Sequence, residues 1–417
     1  MRIGTLLRSG PAMWAALVLV PVLVWFSAQN TEAAISYWPS ISSQTTVVVG
    51  FISAACGAGA AWEAARIKQG GITALAPARG LVAVAFLHLA PIALLGLIAM
   101  AAPFVVFTGS VPLPSGFPGP AIVAVSYSVV LAHIALGWVV GARMPKLLGA
   151  ATMLIFGYLW GFWPAALGEM PWLRHLNGQG VTECCGLDQE PSVRSMAATL
   201  TFSLGILLTV VLGKGLRHRI WRPLLALGAF TTVTAVALTL AVPLEFSGVQ
   251  ARDPALLTCS GHHPQVCLWP EQDVRRAAIT QWVTRTTTRL AAVGVAPADR
   301  VEFGDPEPDR TNVASNTATS PLPDEAPPCA LRRGAAYPGD EAMVAIYAWL
   351  SLTGGVPEDD LAQRWPQEAI TLAEQIRDLP AAAQHDWYER NMRSVRDCSV
   401  LPDLAPASFS STGAGAR

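Results

Sequence analysis

Seven stretches of the chain consist almost entirely of apolar residues, and the charged residues are concentrated between and after them. Each stretch approaches or exceeds the length that an α-helix needs to cross the roughly 30 Å hydrocarbon core of a bilayer. The clearest is Leu224–Val242, where nineteen uncharged residues follow a basic run that ends at Arg222. The pattern predicts seven membrane spans, near residues 12–28, 45–62, 81–107, 121–142, 147–167, 196–212 and 224–242.

After the last apolar stretch the pattern becomes that of a small helical domain. A helix is predicted to open at Pro270–Glu271 and to bury Val274, Trp282 and Leu290, because these positions follow a helical period. Further helical periods run from Asp340 to the region of Asp397. We therefore predict an all-α protein in which residues 1–243 form a membrane bundle and residues 244–400 form a small, mainly helical external domain.

Two polar segments of this domain lack a helical pattern. Residues 295–337 are rich in Pro, Asp and Thr, which predicts a flexible loop. Residues 401–417 are small and polar, which predicts a disordered tail.

The first apolar stretch has two interpretations. Arg2 and Arg8 followed by an apolar run resemble the start of a cleaved signal peptide. The cleavage site is not convincing, because Phe26 stands two positions before Ala28 where a small residue is expected. Since six more spans follow, we interpret this stretch as a retained helix.

The composition agrees with a membrane protein. A mean hydropathy of +0.41 with 14% charged residues excludes a single large soluble domain. Residues 1–243 hold thirteen Lys and Arg against six Asp and Glu, and subtraction from the totals of 28 and 29 leaves fifteen against twenty-three for the rest. No basic patch marks the polar part, so nucleic acid is not an expected partner, whereas the lipid bilayer is.

Lys and Arg alternate between successive loops, which predicts the orientation of the bundle. Basic residues precede the first span and occupy the segments after the second, fourth and sixth spans, whereas the intervening loops are neutral or net acidic. Because cytoplasmic loops carry the excess of Lys and Arg, the N-terminus is predicted inside and the C-terminal domain outside the cell membrane.

The cysteines are distributed as this orientation would require. Cys56 lies within the second span, and the other six fall in predicted external segments, where disulfides persist. Our preferred pairs are Cys259 with Cys267 and Cys329 with Cys398, although four cysteines allow three connectivities. Adjacent Cys184 and Cys185 bond either to each other or to the external domain.

Sequence motifs for catalysis are lacking. The chain contains no G-x-x-x-x-G-K-[ST], H-E-x-x-H, C-x-x-C or G-x-S-x-G motif, so we predict no enzyme activity, no cofactor and no metal site. Two histidines, His88 and His133, fall about 12–15 Å inside the third and fourth spans at similar predicted depths. Intramembrane ionisable residues often mark a pathway, although a neutral histidine bonded to nearby backbone is the simpler interpretation.

The loop between the second and third spans has the most specific pattern. It reads Trp62-Glu63-Ala-Ala-Arg66-Ile-Lys68-Gln-Gly-Gly, followed by Leu75, Pro77 and Arg79. This stretch resembles the W-E-A-x-R…G-x-x-x-L-x-A-x-P-R loop of type-2 ABC exporter permease-like proteins of actinobacterial type. The resemblance implies a loop that couples to a separate ATPase subunit, with Trp62, Glu63, Arg66 and Lys68 as contact candidates. A solvated basic loop that only sets topology is the alternative.

Two functions follow from these observations. The first is a permease-like subunit that moves an amphipathic compound with a separate ATPase, as the resemblance implies, with a homodimer or heterodimer among the expected assemblies. The alternative is a membrane-anchored external binding or sensory protein without transport activity. A seventh span and a large external domain depart from the usual six-span permease, and they leave this alternative open.

Overall fold

The structure is a computed structural model that describes residues 10–71, 81–114, 116–182, 184–215, 222–332 and 337–404. Contacts within the chain divide it into two compact units, and the division falls between Arg252 and Asp253.

The first unit is a bundle of apolar helices. Among the described residues, seven helices are long and apolar enough to cross a membrane, so the prediction of a mostly helical, multi-pass membrane protein is confirmed. A short helix, α2 (Trp38–Gln44), leads into the second of these seven. The seven are α1 (Pro11–Ala28), α3 (Val49–Gln69), α4 (Leu81–Ser110), α5 (Pro120–Gly141), α6 (Lys146–Ala166), α7 (Val193–Gly215) and α8 (Arg222–Ala241).

Prolines have two roles in these helices. Pro11 and Pro120 open α1 and α5, where the missing N–H would have no partner within the helix. Pro91 and Pro103 lie inside α4, which nevertheless continues as one helix of 30 residues. Interior prolines are tolerated in membrane helices because neighbouring groups can satisfy the freed backbone carbonyls.

Helix α3 is the centre of the bundle. In the span Trp38–Gln69, which ends with α3, 72% of an apolar 18-residue stretch is buried inside the protein, against 11% in the last span, Pro223–Ala241. Glycines allow this burial: a Cβ atom on Gly137 or Gly141 of α5 would overlap the carbonyl groups of Gly57 and Ala61 of α3. The same relation holds between α6 and α3, because the pair Gly157-x-x-x-Gly161 of α6 lies directly on the α3 backbone.

The polar segment after α8 belongs to the first unit, which extends nine residues beyond the predicted boundary at residue 243. Strand β1 (Gln189–Pro191) pairs antiparallel with β2 (Val249–Ala251). The Gly248 N–H also donates to the carbonyl of Gly180 at 2.8 Å. These backbone bonds extend the first unit to Arg252.

The second unit, which begins at Asp253, is mainly helical, and two tryptophans lie in its core. Trp349 and Trp387 are fully buried, with ring centroids 5.7 Å apart. The Trp349 indole N–H donates to Gln384 Oε1 at 3.2 Å. The helices of this unit are α9 (Arg276–Ala291), α10 (Arg310–Thr319), α11 (Gly339–Gly354), α12 (Glu358–Ala362), α13 (Gln367–Arg377) and α14 (Ala381–Arg396), and its strands are β3 (Thr258–Ser260), β4 (Gln265–Leu268) and β5 (Arg300–Val301).

The prediction of a flexible loop over residues 295–337 was wrong in its central part. This segment contains β5, which pairs parallel with β4, and the ten-residue helix α10. The Asp309 carboxylate accepts from the Asn312 N–H at 2.7 Å and so caps α10. Val313 and Ala318 of α10 are fully buried, so this polar helix is held by only a narrow apolar face.

The first four residues of the predicted disordered tail are ordered. The carbonyl of Asp403 accepts from the Trp387 indole N–H at 3.0 Å, and the Asp403 N–H donates to Asn391 Oδ1 at 2.9 Å. Residues 401–404 are therefore attached to the second unit. Residues 405–417 lie outside the described part of the chain.

Candidate functional site

Three ionisable side chains meet where α3 approaches its C-terminal end. Glu63 lies one turn before Arg66 on α3, and the Arg66 guanidinium donates to both carboxylate oxygens, at 2.9 Å from Nε and 2.5 Å from Nη2. His88 of α4 adds a third bond, with its Nδ1 2.9 Å from Glu63 Oε1. We name these three residues the Glu63 cluster.

The Glu63 cluster is buried on one side and open on the other. The side chains of Glu63 and His88 are 3% and 4% exposed, whereas that of Arg66 is 34% exposed. A carboxylate buried in this way needs partners, because the loss of its hydration costs several kcal/mol. An ionised carboxylate only accepts hydrogen bonds, so the His88 tautomer with its proton on Nδ1 is the one that suits this contact.

This geometry bears on the four candidates for contact with a separate ATPase. The Glu63 carboxylate is buried and is bonded to Arg66 and His88. Lys68 is exposed, and the half-buried Arg66 presents part of its guanidinium outward. The remaining residues of the motif, Leu75 to Arg79, lie outside the described residues.

Trp62, the fourth predicted contact residue, packs against another basic side chain. The Lys146 ammonium at the start of α6 lies 3.8 Å from the centroid of the Trp62 ring. This cation–π contact ties the start of α6 to the last turns of α3. The half-buried Trp62 ring also lines a neighbouring groove.

That groove opens between α1, α3 and α6 and has a volume of about 690 Å³. Its floor consists of small residues of α3, among them Ala55, Ala58 and Gly59, and Trp62 lies at one end. Val22 of α1 and Ile155 of α6 line its sides. The lining is almost wholly apolar, so the groove suits the apolar portion of a ligand.

The second intramembrane histidine is not part of the Glu63 cluster. His133 Nδ1 lies 2.9 Å from the carbonyl of Val129 in the same helix, and its Nε2 has no partner among the described residues. The backbone of His133 packs at Gly57 of α3, six residues before Glu63. The α3 residues that the two histidines contact, Glu63 and Gly57, are thus about 9 Å apart along the helix, at 1.5 Å per residue.

A third histidine was missed by sequence reasoning. His175 is fully buried in the segment between α6 and α7, with Nδ1 2.8 Å from Ser195 Oγ and Nε2 2.8 Å from the carbonyl of Glu245. Burial lowers the pKa of His175 and favours its neutral form. Because both ring nitrogens are paired, its arrangement is structural, and an isolated histidine in sequence gives no signal of it.

The cysteines pair as the preferred connectivity predicts. Cys259 is joined to Cys267 across the β3–β4 hairpin, and Cys329 is joined to Cys398 over a sequence separation of 69. Cys184 and Cys185 are joined to each other. Cys56 remains a free, buried thiol in α3.

A polar cavity of about 280 Å³ lies within the second unit. The rings of Tyr347 and Trp365 lie along one wall, tilted by 34° to each other with centroids 4.5 Å apart. Hydroxyl groups hold the wall in place, because Ser315 pairs with the Tyr347 hydroxyl and Thr311 donates to Asp360 Oδ2, each at 3.0 Å. The other charged groups that line it are Asp305, Glu307, Asp309 and Arg364.

Within the described residues, no group of three or more His, Cys, Asp or Glu side chains is arranged to hold a metal ion. The Glu63 cluster, the apolar groove and the polar cavity are candidate sites of other kinds.

Comparison with known proteins gives a partial match. Residues 266–398 match the family model of a domain of unknown function, DUF7224, which covers most of the second unit. No curated protein and no solved structure matches the chain.

Proposed function

We propose that the chain is a permease-like membrane subunit that works with a separate ATPase, and that the loop between α3 and α4 is the contact between them. The observation that supports this proposal is the Glu63 cluster, which joins the two helices on either side of that loop. A loop transmits a displacement to a bundle only if the helices that carry it are firmly connected. Bonds from Arg66 and His88 to one carboxylate provide that connection.

In this proposal the four sequence candidates have different roles. Glu63 is a positioning residue, because it is buried and fixes α3 against α4. Lys68 and the exposed part of Arg66 are available to an acidic surface on the ATPase. Trp62 links this end of α3 to Lys146 of α6.

The groove between α1, α3 and α6 supports an amphipathic compound as the transported substrate. Its lining accepts an apolar moiety, and its position beside Trp62 places it next to the helix that carries the Glu63 cluster. The same groove is open to a second subunit, so a homodimer or heterodimer would enclose it.

The partner can be tested by co-purification from the native membrane in mild detergent. An ATPase subunit should co-purify with the tagged chain, and Lys68→Glu should weaken this association up to about fivefold, the effect of one exposed ion pair. Arg285→Glu is the matched control, because it makes the same charge change at an exposed position of α9, in the second unit that the proposal puts outside the cell. An ATPase yield that is unchanged by Lys68→Glu would contradict the assigned contact.

The proposal requires the loop between α3 and α4 to be cytoplasmic and the second unit to be outside the cell. The alternation of basic and non-basic loops supports this orientation. A reporter that is active only outside the cytoplasm, fused after Ser408, should be active in whole cells. A cytoplasmic reporter at the same position should be silent, and the reverse pattern would overturn the orientation.

The polar cavity of the second unit favours a second candidate function, an external binding or sensory protein. A cavity with an aromatic wall and several carboxylates is suited to a small polar ligand with a cationic group. The co-purification experiment separates the two functions, because a sensor without transport activity would bring no ATPase with the wild-type chain.

A further inference from the structure

A second groove opens between α5, α7 and α8, with a volume of about 520 Å³. It lies where α5 and α7 end and α8 begins, so it is at the boundary of the membrane spans. Most of its lining is apolar, including Val139 of α5, Val210 of α7 and Phe230 of α8. Gly213 and Ala226 leave space for the groove, because neither carries a bulky side chain.

A single charged side chain, that of Arg143, lines this groove. Arg143 is exposed, and its Nη1 donates to the carbonyl of Val139 at 3.0 Å. A guanidinium has five N–H donors, so this one bond to the backbone leaves capacity for an anion at the mouth of the groove.

The sequence near this end of the three helices contains further basic residues and no acidic residue. Lys214 lies in the last turn of α7 and Arg222 is the first residue of α8, so both backbone positions fall at the same end as the groove. No acidic residue occurs from Pro120 to Gly168 or from Pro191 to Leu244. The helices that form the groove therefore contribute no carboxylate that would oppose an anion at Arg143.

We infer that the groove between α5, α7 and α8 binds an anionic phospholipid. An acyl chain lies against Val210, Ala226 and Phe230, and the headgroup phosphate lies at Arg143. Basic pockets between membrane helices are suited to anionic headgroups, and each nearby Lys or Arg contributes about 1 kcal/mol, or about fivefold in affinity. An apolar lining with the Arg143 guanidinium at its edge distinguishes a lipid from a second protein helix, which would not require that cation.

This site is independent of the proposed ATPase partner. It uses helices other than α3, and it does not depend on which side of the membrane the loops occupy. Failure of the co-purification experiment would leave the lipid site unaffected, and the converse also holds.

The experiment is a native mass-spectrometry titration of the purified full chain with palmitoyl-oleoyl phosphatidylglycerol or phosphatidylcholine. The anionic lipid should bind more tightly, and Arg143→Gln should weaken its binding about fivefold but weaken that of the zwitterionic lipid less, because the choline cation offsets the phosphate charge. Lys146→Gln, an equal charge change at the start of α6, should leave both affinities within about twofold, well below the effect of one headgroup cation. Equal binding of the two lipids, or equal loss in the two variants, would overturn the inference.

A second variant tests the apolar floor without a change in charge. Ala226→Trp fills the groove from the half-buried surface of α8, so it should weaken binding of the anionic lipid while the protein remains monodisperse. Inorganic phosphate at the same concentration should not displace the lipid. Full binding in Ala226→Trp, or displacement by phosphate alone, would show that the groove is not the lipid site.

Discussion

The double substitution Arg66→Gln and His88→Leu should destabilise the membrane bundle by about 3–5 kcal/mol, because it leaves the carboxylate of Glu63 buried without a cationic partner. The value should fall toward the lower end of this range. The Arg66 side chain is 34% exposed, so water can replace part of its interaction when it is removed. Thermal unfolding in detergent, followed by the fraction of monodisperse protein, measures the effect.

The control for this prediction removes the charge instead of its partners. Glu63→Gln has nearly the same shape, retains hydrogen-bonding capacity and no longer needs a cation, so adding it to the double variant should restore most of the lost stability. If the triple variant is as unstable as the double variant, the loss arises from packing and the electrostatic explanation is wrong.

Replacing Gly137 or Gly141 by valine should be the second most damaging change in the bundle. A new side chain at either position would meet the α3 backbone, at the carbonyl groups of Gly57 and Ala61, and a backbone group cannot rotate away as a side chain can. Overpacking commonly costs about 1–3 kcal/mol and occasionally more, and we expect the upper end here. The measurement is the unfolding temperature of each purified variant.

Gly59→Ala is the matched control, because it adds a methyl group to a glycine of the same central helix. The nearest atoms to that methyl belong to the Ile92 side chain at 3.8 Å, which is ordinary van der Waals contact. We expect an unfolding temperature close to that of the wild type. A loss in Gly59→Ala equal to that in Gly137→Val would contradict the assignment of the close crossing to α5.

The sequence allowed the membrane helices to be predicted because their signal is local. Nineteen uncharged residues in a row, as in Leu224–Val242, need no knowledge of tertiary contacts to be recognised as a span. The observed helix runs from Arg222 to Ala241, which differs from the prediction by no more than two residues at either end.

The errors arose where the outcome depended on distant contacts or on a change of helix type. Val274 was predicted to be buried but is 96% exposed, because Pro270–Arg275 forms a 3₁₀ helix and shifts the period before α9 begins. Helix α10 was missed because its few apolar residues are buried by tertiary packing, although Asp309 was a readable capping signal. The bond between His88 and Glu63 could not be predicted, since it depends on how α3 and α4 are rotated about their axes.

The central position of α3 has a consequence for how this chain can change during evolution. One face of the helix is in backbone contact with α5 and another with α6, and its last turns carry the Glu63 cluster. A larger residue on either crowded face would need a compensating change on a neighbouring helix at the same time. Only 11% of the apolar 18-residue stretch of α8 is buried, so we expect related chains to keep small residues in α3 while the exposed positions of α8 diverge more freely.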